Sequence, residues 1–346
     1  MKKIISVVLS TCIAVNAFLV FGYTELEDVN AEAVYTDNNN EKTTVENDRM
    51  QLLVYSDHAA LTSCSRKVQG PVVVPAEAGG QPVTEIKIGA FTFCEEMTEV
   101  TLPDTITDME ASAFYNCTSL KSIVLPDSMK KIDSGVFFYC TGLESVTFPK
   151  SIEEINVWAF HGCSGLKEVN FPESLKRIGA SAFYGCTSLA KVVIPDAVTI
   201  IEEVTFTDCK GLKEVILPES LTSIGNMAFY GCSELEAINI PDSVTEIGDK
   251  AFYGCENLTI YCSENSFARR YAEENGIKYS EKQSDSGNEK IVNGDVNADD
   301  VLNTADFIDI IRMIISQTKS STFADLNKDG SVDASDLMLL KKILAK

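Results

Sequence analysis

At 346 residues the chain has room for two domains, and its 45% apolar content excludes a globally disordered protein. A formal net charge of -22 at pH 7 argues against nucleic acid and anionic membranes as partners, since both would repel so acidic a surface.

Lys2 and Lys3 precede an apolar run from Ile4 to Gly22, an order of charge and hydrophobicity that resembles a secretory signal peptide. Cleavage after Ala31 or Ala33 fits the small residues there, with an uncleaved N-terminal anchor as the alternative for residues 1–33. Cys12 follows Thr11 inside the apolar run and does not read as a lipidation site. The expectation is a secreted or cell-surface protein with no membrane span in the mature chain. Residues 34–49 are polar and are expected to be disordered.

Residues 50–279 are dominated by one period. Phe91, Phe114, Phe137, Phe160, Phe183, Phe206, Phe229 and Phe252 are spaced by 23 residues without an insertion, and Cys94 through Cys255 follow each Phe by three. Short β-branched runs such as Ser122-Ile-Val-Leu125 precede the proline of each unit and predict one strand per repeat. A unit this small cannot bury its apolar edge alone, so neighbours must stack into a continuous core. The motif L-x-x-I-x-L-P…I-x-x-x-A-F-x-x-C resembles the BspA-like leucine-rich repeat of bacterial surface proteins. The resemblance implies an α/β leucine-rich repeat solenoid with a parallel β-sheet.

Its caps are also legible. Met50 to Ser63 predicts a capping hairpin, and Val72-Val-Val74-Pro75 a first strand followed by an enlarged loop from Ala76 to Pro82. Leu258 to Tyr261 predicts a last strand, and Ser266 to Asn275 a closing helix ended by Gly276. Residues 280–293 read as a polar linker.

Several side-chain rows invite functional readings. The cysteines are expected as buried free thiols, because a straight row suits neither disulfide nor tetrahedral zinc geometry; Cys255 with Cys262 is the pair to test for a bridge. Acidic residues after the proline (Asp104, Asp127, Glu173, Asp196, Glu219, Asp242) are expected, with the following Ser, to satisfy backbone donors in the turn. Tyr115, Phe138, His161, Tyr184, Tyr230 and Tyr253 follow the Phe row as an aromatic stripe, interrupted by Thr92 and Thr207. They read either as half-buried packing or as a candidate ligand stripe for sugar rings. The outward strand positions, such as Ser122/Val124 and Lys191/Val193, form the face that repeat proteins use for partners, here with chemistry suited to a protein. No catalytic constellation emerges around His58 or His161, and no metalloprotease, phosphate-loop or dinucleotide motif is present.

Two twelve-residue segments place oxygen donors at the same positions 30 residues apart. Asp295, Asn297, Asp299, the Val301 carbonyl, Asn303 and Asp306 make one set, and Asp325, Asn327, Asp329, the Ser331 carbonyl, Asp333 and Asp336 the other. Spacing 1-3-5-7-9-12 wraps oxygens around Ca2+, a hard cation, so two ions are expected. Gly330 supplies the sharp turn of the second loop, whereas Asp300 stands at that position in the first and predicts weaker binding there. Apolar residues at helical spacing follow each loop. Tandem loop-helix units with Asp at position 12 resemble a dockerin over residues 294–346. The resemblance implies an all-α module that binds a cohesin on a scaffoldin, with contacts from Thr304, Ala305, Ile311 and Arg312 in the first unit and Ala334, Ser335, Lys341, Lys342 and Lys346 in the second. It also implies an exported, non-catalytic cellulosome component with a role in polysaccharide degradation. The alternatives are an adhesin for plant cell wall or another cell and, more remotely, a carbohydrate-active enzyme.

Overall fold

The computed structural model describes residues 35–36, 42–46 and 49–281. The apolar N-terminal run and both candidate calcium loops lie outside the described residues.

Each coil has three sides. On the first, the β-branched Ile123 points inward from Ser122–Val124 while its neighbours face out, and Pro126 closes the run because it has no N–H to donate. Successive copies pair in parallel without slip: Ser122, Ile123 and Val124 face Ser145, Val146 and Thr147, and Lys191, Val192 and Val193 face Glu214, Val215 and Ile216. The sequence pattern predicts one strand per coil; the structure has two. Lys131–Ile132, Glu154–Ile155 and Arg177–Ile178 form a second parallel row, and Ile200–Ile201, Ser223–Ile224 and Glu246–Ile247 form another along the same side. Two residues with one inward Ile are too few to register as a period-two pattern.

The third side carries Ala-Phe-x-x-Cys as a series of turns. Its backbone still forms a ladder, with the N–H groups of Phe91, Phe114, Phe137 and Phe160 donating to carbonyls of the next coil at 2.7–2.8 Å. From Phe91 to Phe252 the rings are at most 2% exposed. They stack along the array with centroids 4.6–5.5 Å apart and planes within 18°.

Cys64 through Cys262 are free and buried, including Cys255 and Cys262. The row does more than fill space. The Sγ–H groups of Cys117, Cys140, Cys163, Cys186, Cys209, Cys232 and Cys255 donate to the Phe carbonyl of the preceding coil at 2.9–3.3 Å. The same carbonyl accepts an N–H from its own coil, as Phe91 does from Cys94, so both lone pairs of a buried oxygen are used.

Two backbone positions per coil are left-handed. One runs through Gly89, Ser112, Gly135, Trp158, Ser181, Val204, Met227 and Lys250, the other through Phe93, Asn116, Tyr139, Gly162, Gly185, Asp208, Gly231 and Gly254. Val204 adopts φ 62 although a β-branched side chain disfavours that region. At Gly162 an added Cβ would also run into the Tyr139 ring.

The N-terminal cap contains the expected hairpin, Met50–Val54 against Ala59–Cys64. Strand Lys42–Glu46 adds antiparallel to its outer edge, where composition predicts disorder; its Thr-Thr-Val core suits a strand once Met50–Val54 offers a free edge. Within the enlarged loop, Glu77–Ala78 pairs with Gln81–Pro82 across Gly79 and Gly80, both left-handed as a two-residue hairpin turn requires. At the other end, strand Thr259–Cys262 leads to helix Phe267–Asn275. Ser266 Oγ accepts the Arg269 N–H at the helix start, and Gly276 ends it at φ 66. Tyr271 packs edge-on against Phe252. Strand Lys278–Glu281 then extends the sheet, so the first two residues of the expected linker are structural.

Beside the Phe stack, His161 lies between Phe138 and Tyr184, with centroids 4.4 and 4.5 Å away and planes within 7°. Its Nδ1 is buried without a hydrogen-bond partner, and burial pulls the imidazole pKa down to about 4.

Replacing Gly162 by Ala is expected to cost about 2 kcal/mol or more, from the left-handed backbone and the Tyr139 clash, whereas Val204→Gly should gain up to about 1 kcal/mol; urea unfolding of both variants measures the contrast. For His161 the unfolded chain takes up a proton first as the pH falls. Its contribution to stability is therefore complete above pH 6.5 and lost toward about pH 4. Between pH 7 and pH 5 the wild type should lose about 1–2 kcal/mol more than His161→Phe, read from urea midpoints at each pH.

Candidate functional site

The first-side sheet presents two outward rows whose positions are fixed by the parallel register. One carries Glu99, Ser122, Ser145, Glu168, Lys191, Glu214 and Ala237. The other carries Val73, Thr101, Val124, Thr147, Val193, Ile216 and Asn239. Val73 and Val124 are 64% and 65% exposed, Val193 and Ile216 46% and 43%, so the second row is a ridge of exposed aliphatic side chains interspersed with Thr101, Thr147 and Asn170. Lys191 pairs with Glu214 at 2.9 Å on the first row, and Glu144 bridges Lys121 and Lys167 at its border at 3.7 and 2.6 Å. These exposed pairs add little stability. They leave the ridge bordered by charges of both signs.

The aromatic stripe takes the packing role. Tyr115, Phe138, Tyr184 and Tyr230 are half-buried, and Tyr253 is 61% exposed. Tyr115 stacks on Phe138 at 5.4 Å and Tyr230 on Tyr253 at 5.3 Å, so ring faces that a sugar would use are turned toward one another. Asp208, beside the interruption at Thr207, accepts the Tyr184 hydroxyl at 3.2 Å.

At the turn after five of the seven prolines from Pro103 to Pro241 the working group is a serine, with Thr105 and Ala197 in its place in the other two units. Ser151 Oγ donates to the Asp127 and Met129 carbonyls at 2.7 and 2.6 Å, and Ser174, Ser220 and Ser243 make equivalent bonds at 2.6 Å. The expectation was a side chain accepting from backbone donors; the hydroxyl instead serves backbone acceptors of the previous coil. Ser151 follows Lys150, so the bond needs no acidic neighbour.

His58 pairs with Asp57 at 2.8 Å and stacks on Tyr55, and His161 is enclosed by rings, so neither is hydrogen-bonded to a Ser or Cys side chain among the described residues. Among the described residues no group of three His, Cys, Asp or Glu side chains is placed to hold a metal, and no helix is long and apolar enough to cross a membrane. The candidate calcium ligands from Asp295 to Asp306 and Asp325 to Asp336, and the expected cohesin contacts, lie outside the described residues.

Comparison with known proteins gives each part a relative. Residues 80–190 and 176–270 match the model of the BspA type leucine rich repeat region, with six copies, and residues 293–345 match that of the dockerin type I domain. A leucine rich repeat protein from T. pallidum, known from a crystal structure, is 27% identical; the match covers 68% of this chain and 97% of that one with a TM-score of 0.52. A leucine-rich repeat protein from Bacteroides ovatus is 26% identical, with 69% and 67% covered and the same TM-score of 0.52. No curated protein matches. A 23-residue coil with paired strand rows, a buried Phe-Cys spine and a family match over more than half its length place this chain in the BspA-type leucine-rich repeat family, with a type I dockerin domain at residues 293–345.

Proposed function

We propose that the chain is an exported, non-catalytic component of a cellulosome-type assembly, docking to a cohesin of a scaffoldin through its dockerin and offering the solenoid sheet to a second protein. The dockerin match carries this reading. Dockerins bind cohesins and leucine-rich repeat solenoids mediate protein contacts, so the chain joins two interaction modules. An association with polysaccharide degradation would come from the assembly rather than from chemistry on this chain. The aliphatic ridge from Val73 to Ile216 supports a protein partner, because sugar rings favour aromatic faces and those of the stripe cover one another.

Type I dockerin domains bind calcium, and the donor chemistry here fits a hard cation. Asp295, Asn297, Asp299, Asn303 and Asp306, with the Val301 carbonyl, would hold one ion; Asp325, Asn327, Asp329, Asp333 and Asp336, with the Ser331 carbonyl, a second. Calcium supplies positive charge that offsets the mutual repulsion of the loop carboxylates, which couples binding to folding of the module. With Asp300 in place of a turn glycine, the first loop is the weaker. The two units also offer different surfaces to a cohesin, Ile311 beside Arg312 against Lys341, Lys342 and Lys346, which favours one docking orientation over two equivalent ones.

Calorimetric titration of the full chain against a panel of cohesins should give tight binding to at least one in calcium and none in EGTA; silence across the panel in calcium would remove the assembly role. With the cohesin found, Arg312→Glu and Lys342→Glu should differ in lost affinity by well over about tenfold, roughly 1.4 kcal/mol. Equal losses would mean that both orientations are used.

A further inference from the structure

The aromatic stripe ends at Tyr253, whose ring keeps one face open. Tyr230 stacks on it with planes 19° apart, and the chain turns into strand Thr259–Cys262 and the closing helix before another coil can cover the opposite face. Tyr253 is accordingly 61% exposed, where Tyr115, Phe138, Tyr184 and Tyr230 are half-buried. Beside it lies a cavity of about 520 Å³, within the ~300–1,000 Å³ usual for small-molecule sites. Every residue lining this cavity belongs to the last coil or to the segment from Tyr271 to Lys278, and none to the coil of Tyr230. The cavity therefore stands on the open side of the Tyr253 ring.

Its walls carry polar groups without partners. In the preceding coil the N–H groups of Met227 and Gly231 donate to the Asp249 and Tyr253 carbonyls at 2.9 and 2.8 Å. Their counterparts one coil on, Lys250 and Gly254, line the cavity, and among the described residues no carbonyl accepts their N–H groups. Glu256 and Asn257, both exposed, bring acceptors to the same wall. An aromatic side chain entering here would cover the ring and leave those N–H groups unmet. A simple anion would meet them but would be repelled by Glu256 and leave the ring bare. A pyranose serves both needs, because its axial C–H groups lie against the negative face of an aromatic ring while the hydroxyls around its edge accept and donate.

The geometry points to a saccharide site at the C-terminal end of the solenoid, in which one pyranose ring stacks on Tyr253 as the next ring of the stripe would. Hydroxyls on its edge accept from the Lys250 and Gly254 N–H groups and donate to the Glu256 carboxylate and the Asn257 amide oxygen. A single stacking platform suits one sugar residue of a chain rather than a polymer laid along the array. The site lies on a different side of the coil from the aliphatic ridge and does not depend on the dockerin.

Saturation-transfer NMR on the full chain with cellopentaose, xylopentaose and mannopentaose tests this, with calorimetry for the affinities. The expected result is transfer from tyrosine protons to the ring C–H groups of at least one of the three. Affinity for that probe should fall at least about tenfold in Tyr253→Ala and be retained in Tyr253→Trp. Asn257→Ala should also weaken binding, whereas Val124→Ser, on the ridge, should bind as the wild type does. No transfer to any of the three probes, or equal affinity in Tyr253→Ala, would overturn the proposal. So would self-association through Tyr253 with no saccharide bound.

Discussion

The stack of phenylalanines along neighbouring coils is the interaction on which the rest of the solenoid depends, and between Phe91 and Phe252 it is kept in line by coils of equal length. With 23 residues per turn, each Phe meets its counterpart, each thiol meets the carbonyl of the preceding Phe, and each strand meets its copy without slip. The same equality propagates costs: a left-handed position required by one coil is required by all, and the chain fills it with glycine in some coils and with Trp158, Val204 or Met227 in others. The strained residues are tolerated because stacking on both sides fixes the path that each coil must take.

What the sequence revealed follows from which interactions are bulky or repeated without exception. The Phe and Cys rows never miss a coil, so the architecture, the direction of the sheet and the burial of the thiols could be read directly. The helix Phe267–Asn275 was equally legible because its start at Ser266 and its stop at Gly276 both carry residues specific to helix ends. Left-handed positions were hidden because only part of each row is glycine. The serine bonds were masked by the acidic residues beside them, although Lys150-Ser151 carried the clue that the hydroxyl persists where the carboxylate does not. The thiol-to-carbonyl bonds needed the inter-coil offset of 26 residues, which a count from Phe to Cys within one coil does not supply.

The division of labour between the two parts has a physical basis. Mixed charges and an aliphatic ridge on a sheet with fixed register give a surface that keeps its shape when it meets a partner, so little conformational entropy is lost there on binding. The stripe on the neighbouring side has the opposite character: its rings are spent on one another, and His161 is held neutral between two of them. Exposed, varied side chains thereby lie on one side of the coil and mutually packed rings on another.

Tyr271 of the closing helix packs edge-on against Phe252, where a further coil would otherwise place its own Phe ring. The closing helix therefore covers the last ring as a coil would. Whole turns can consequently be gained or lost from the interior by duplication or deletion of the gene segment, with neither terminus needing to change. The extent of the outward sheet face is in this sense a copy number, adjustable in units of one strand, while its chemistry is edited one outward residue at a time.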